Sequence, residues 1–73
     1  MKTEEKRERF KRLASARTNE ILKKLKILGN CSNRSAYEYS EEEVNKIFHA
    51  LEKAMRESRS KFYYPSEKKG FKL

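Results

Sequence analysis

The sequence predicts an all-α protein, an antiparallel helical hairpin of two long helices that dimerises into a four-helix bundle. Three observations carry that expectation. Apolar residues recur at three- and four-residue steps in two separate stretches, helix-end chemistry brackets each stretch, and an Asn- and Ser-rich segment lies between them. With 73 residues the chain is one small domain. Only 36% of residues are apolar and 41% are charged, but the periodicity of the apolar ones separates the chain from a disordered polyelectrolyte.

The first helix is expected over 3–28. Phe10, Leu13, Ala14, Ile21, Leu25 and Leu28 fall on one side of a helix at about 100° per residue. Thr3 is placed to cap its start, Glu4 and Glu5 suit the positive end of the helix dipole, and Gly29 stands where a left-handed C′ residue is expected.

A connector over 29–39 follows, longer than a minimal helical hairpin requires. The second helix is expected over 40–62. Ser40-Glu41-Glu42-Glu43 has the form of a capping box, with Tyr39 and Val44 at the positions of a hydrophobic staple. Val44, Ile47, Phe48, Leu51, Ala54, Met55, Ser58 and Phe62 then hold one stripe, and Pro65 stops any continuation. Residues 1–62 thus form the hairpin, and 63–73 form a basic aromatic tail that is either free or a docking segment. Two stripes facing each other leave much apolar surface uncovered, so a symmetric dimer is expected to cover the rest, a role that docking on a larger partner would serve equally well.

Charge indicates the class of partner. The formal net charge is +8 and the sequence pI is about 9.8. Residues 1–28 carry ten Lys/Arg against four Glu, residues 40–60 carry four against five, and residues 61–73 add +3. A helix with one apolar stripe and cations over the remaining surface suits a polyanion. Opposite Phe10 and Leu28, the first helix presents Arg12, Ser15, Ala16, Asn19, Lys23 and Lys26, with Arg9 nearby. Small residues let such a face approach a groove, Arg9, Arg12, Lys23 and Lys26 suit phosphates, and Asn19 suits a base edge. A solvated basic surface is the competing and equally weighted explanation.

Arg17 falls inside the apolar stripe between Leu13 and Ile21. Pairing with an acid of the second helix or of a dimer mate, or with carbonyls of the connector, is expected there. Glu20, Glu52 and Glu57 are the candidate acids, and a ligand-binding Arg is the rival role. Lys24 at the stripe's edge can reach outward. Arg34, Tyr37 and Tyr39 in the connector, with Tyr63 and Tyr64 in the tail, are candidate partner contacts. In the tail, closing the end of the hairpin is the simpler role, and stacking on unpaired bases the alternative.

Nothing in the chain suggests catalysis, a cofactor or a metal. Cys31 is the single cysteine, with no histidine placed to activate it, and His49 has no second ligand at metal spacing. Two glycines do not make a phosphate-cradling loop. No stretch is long and apolar enough to span a membrane and no secretory signal is visible, so a cytoplasmic protein is expected.

The run Arg17-Thr18-Asn19, then Leu28-Gly29-Asn30-Cys31-Ser32-Asn33, Tyr37-Glu38-Tyr39 and Val44 to Phe48 resembles small, functionally unassigned helical proteins of phages and mobile elements in low-GC Gram-positive bacteria. The likeness covers about two-thirds of the chain and contains no catalytic motif. It implies a bacterial cytoplasm, an accessory role, and a connector that is itself a contact surface.

The function expected is therefore non-enzymatic binding of DNA or RNA by a dimeric accessory or regulatory factor. The alternative is a protein-binding adaptor or inhibitor of a host nucleic-acid enzyme, for example a defence nuclease. A purely structural helical module is the third possibility.

Overall fold

A computed structural model of the chain describes residues 2–63, with side chains described from Glu5 onward. The described residues are all-α, with two long helices in the order of a helical hairpin: α1 (Lys2–Gly29), a 3-10 turn (Asn30–Ser32) and α2 (Glu41–Arg59). The chain divides into two units, Met1–Glu38 and Tyr39–Leu73, each built around one helix.

At 28 residues, α1 is about 42 Å long. It is rich in Glu, Lys, Arg and Leu, which lose little side-chain freedom in a helix. Both of its expected ends move outward. The helix begins at Lys2, so Thr3 lies inside the first turn instead of capping it. Gly29 is the last helical residue, with φ −60° and ψ −23°, instead of a left-handed C′ residue. Helical geometry continues past Gly29 as the 3-10 turn, and the chain departs only at Asn33, whose φ of −69° and ψ of 104° are extended. No described residue has positive φ.

Asn33 organises the connector. Its carbonyl accepts from the amides of Ala36 at 3.1 Å and Tyr37 at 2.9 Å. Its side-chain Oδ1 accepts from the Ser35 amide at 2.9 Å, an Asx turn of the kind that Asn favours.

The expected start of α2 is present in full. Ser40 is the N-cap, extended at φ −106° and ψ 163°, and both bonds of the capping box form. Tyr39 and Val44 are the half-buried residues on either side of that start, while Glu38, Ser40 and Glu41 to Glu43 are exposed. This is the burial pattern that a hydrophobic staple requires. Three acids in the first turn and Arg56 and Arg59 in the last oppose the helix dipole at both ends.

The helix stops three residues before the expected end. The Ser60 hydroxyl donates to the Glu57 carbonyl at 2.7 Å, and the amides of Lys61 and Phe62 donate to Ser58 and Arg59 at 3.1 Å each. Such three-residue bonds tighten the chain out of α-helical pitch. Phe62 therefore follows the helix and does not extend its stripe. Tyr64, Pro65 and the rest of the tail lie outside the described residues.

The apolar periodicity sets which side chains are most covered. On α1 these are Leu13, Ala14, Leu25 and Leu28, and on α2 Val44 and Leu51, all half-buried. None of the described residues is fully buried. Leu22 and Ile27 stand off the α1 stripe on its flanks and are exposed, and Phe10 and Ile21, expected on the stripe, are equally exposed. The stripe of α2 is the cleaner of the two.

Candidate nucleic-acid interface

The cations of α1 are concentrated beyond its first two turns. Residues 9–28 carry seven Lys/Arg against one Glu, a surplus of +6 that spans about 28 Å of helix. By contrast α2 carries four Lys/Arg against five Glu. The described helices thus differ in sign, and the positive field belongs to α1.

The expected binding residues share one face. At about 100° per residue, Arg12, Asn19, Lys23 and Lys26 lie within roughly 60° of one another, with Arg9 at the edge of the group. All five are exposed, as are Ser15 and Ala16 among them. Lys23 follows Arg9, and Lys26 follows Arg12, by fourteen residues, about 21 Å along the axis. This gives two pairs of cations on one side of α1.

Few neighbouring acids neutralise them. Among the described residues, α1 has one ion pair, Lys11 Nζ to Glu8 Oε2 at 3.8 Å. The other six cations of residues 9–28, namely Arg9, Arg12, Arg17, Lys23, Lys24 and Lys26, have no ion-pair partner among the described residues.

Arg17 departs from expectation. It is exposed, and it forms no ion pair with Glu20, the candidate on its own helix. Glu57 instead faces Lys53 on its own helix at 3.6 Å. Neighbours one helical turn apart meet without any tertiary rearrangement. Arg17 and Lys24 therefore join the positive surface as cations that the sequence had assigned to a stripe.

The second group of candidates is spread along the chain. Tyr37, 54% exposed, follows directly on the turn at Asn33, with Arg34 exposed inside that turn. Tyr39 is half-buried at the start of α2. Tyr63 is 77% exposed just past the end of α2, and Tyr64 lies outside the described residues.

Cys31 is exposed with a free thiol. Among the described residues no group of three or more His, Cys, Asp or Glu could hold a metal ion. No described helix is long and apolar enough to cross a membrane. No protein-family model matches the chain, and comparison with curated proteins and with solved structures finds no match.

Proposed function

We propose that the protein is a non-enzymatic helical factor that binds DNA or RNA through α1. The observation that supports this reading is the surplus of +6 over residues 9–28, together with six cations there that no described acid neutralises. On this reading Arg9, Arg12, Lys23 and Lys26 hold phosphates, and Asn19 reaches a base edge between the two pairs. Small Ser15 and Ala16 let the backbone come close. The chain is then an accessory or regulatory component acting as a dimer in a bacterial cytoplasm, in the context of a phage or mobile element.

The test is a fluorescence-polarisation titration against labelled duplex DNA and single-stranded RNA at two salt concentrations. Four phosphate contacts correspond to roughly a hundredfold loss of affinity between about 50 and 200 mM salt. That loss supports the reading. Absence of binding at the lower salt overturns it, and a salt-independent affinity removes the phosphate contacts from it.

The alternative is a protein-binding adaptor or inhibitor of a host nucleic-acid enzyme. It draws on the ordered turn at Asn33, which is followed by an exposed Tyr37. An aromatic on a preorganised loop loses little entropy when a partner covers it. Pull-down from host lysate with Tyr37→Ala as the control separates this from the first reading.

A further inference from the structure

We propose that the apolar face of α2 is a self-association surface on which α2 of a second copy lies antiparallel. The face is formed by Val44, Phe48, Leu51 and Met55, which recur at three- and four-residue steps over three turns. Phe48 is 45% and Met55 63% exposed, an apolar strip of the kind that marks an interaction site when bordered by charge.

The distribution of charge along α2 selects the occupant. Its first turn holds Glu41, Glu42 and Glu43, and its last holds Arg56 and Arg59. Glu41 and Arg59 lie eighteen residues apart, which is five whole turns, so they sit on the same edge of the stripe at opposite ends. Arg59 and Met55 line one shallow depression with Glu52 and Arg56, which places Arg59 at the border of the apolar face.

A second α2 laid antiparallel sets Val44 over Met55 and Phe48 over Leu51. The same register brings Glu41 to within one residue of Arg59 of the second copy, about 1.5 Å along the axis and inside the reach of both side chains, and twofold symmetry repeats every pairing. A parallel partner would instead stack three glutamates on three glutamates. Complementary charge at the rim chooses orientation and register more than it supplies affinity. A nucleic acid is a poor occupant, because α2 carries more acid than base.

This inference does not rest on nucleic-acid binding, and its test uses the full chain with no nucleic acid present. Sedimentation equilibrium from micromolar to millimolar protein should show a monomer–dimer equilibrium. A single pair of helices about 28 Å long makes a small interface, so the association is weak. Glu41→Lys and Arg59→Glu should each weaken dimerisation about tenfold, since either change turns two attractive rim contacts repulsive. The double variant E41K/R59E should recover the wild-type constant, because the swapped charges again face their opposites. Leu51→Asp should leave a monomer with its helical circular dichroism retained.

A wild-type chain that stays monomeric at millimolar concentration overturns the proposal, whether α1 of the same chain or a foreign protein covers the face. A double variant as weak as either single change overturns the antiparallel register.

Discussion

Ser40 and Glu43 hold each other across the first turn of α2. The Ser40 amide donates to Glu43 Oε1 at 2.8 Å, and the Glu43 amide donates to Ser40 Oγ at 3.1 Å. Each residue satisfies a backbone donor that the helix leaves without an internal acceptor. Ser40→Ala should lower helix stability by about 1 kcal/mol, and Ser40→Gly by only a few tenths. Thermal melts followed by far-ultraviolet circular dichroism check both. Equal melting of wild type and Ser40→Ala would show that the cap contributes nothing.

Gly29→Ala should stabilise the protein. Gly29 is right-handed helical, and a Cβ added to it meets nothing within 4 Å. Alanine there avoids the extra backbone entropy that glycine loses on ordering, a gain of roughly 0.5–1 kcal/mol. Had Gly29 been the left-handed C′ residue, the same change would destabilise. The sign of the shift in melting temperature decides between the two geometries.

Arg12→Ala should reduce the salt dependence of nucleic-acid binding by about one phosphate, so that the slope of log K against log salt becomes less steep by roughly 0.9. Lys23→Glu/Lys26→Glu should abolish binding, because both cations reverse on one face. Glu57→Gln, which only releases Lys53 from a pair on α2, should leave the slope within error. Titration over a salt series gives all three values. A charge-reversed protein that binds as wild type does would remove this face from consideration.

Asn33→Ala should loosen the connector without unfolding the helices. It deletes the side-chain acceptor for the Ser35 amide, while the bonds to the Asn33 carbonyl need no side chain. Hydrogen exchange should quicken most at the Ser35 amide, with α1 and α2 protected as before. Uniform exchange across both helices would instead make Asn33 a determinant of the whole fold.

The elements most legible in the sequence are those decided by neighbours within four residues. The start of α2 is one: capping box, staple positions and first-turn acids are all local, and all appear. The apolar faces are another, since Leu13, Ala14, Leu25, Leu28, Val44 and Leu51 follow from a 3.6-residue period. The exposed basic face of α1 follows from the same period. Helix ends on the C-terminal side were less legible. Glycine permits a left-handed exit without demanding one, and Gly29 continues the helix. Ser60 turns the chain after Arg59 through its hydroxyl bond to Glu57, although the apolar spacing runs on to Phe62.

The sequence by itself therefore determined the helical class, the start of α2, the apolar face of each helix and the uneven placement of charge, because all of these are set by residue type at short range. Three-dimensional structure decided which of the charges within one helical turn of each other meet. Ion pairing depends on separation in space, and the separations place Lys11 with Glu8 and Lys53 with Glu57. Arg17, which stands at an apolar position of the period, is exposed on α1.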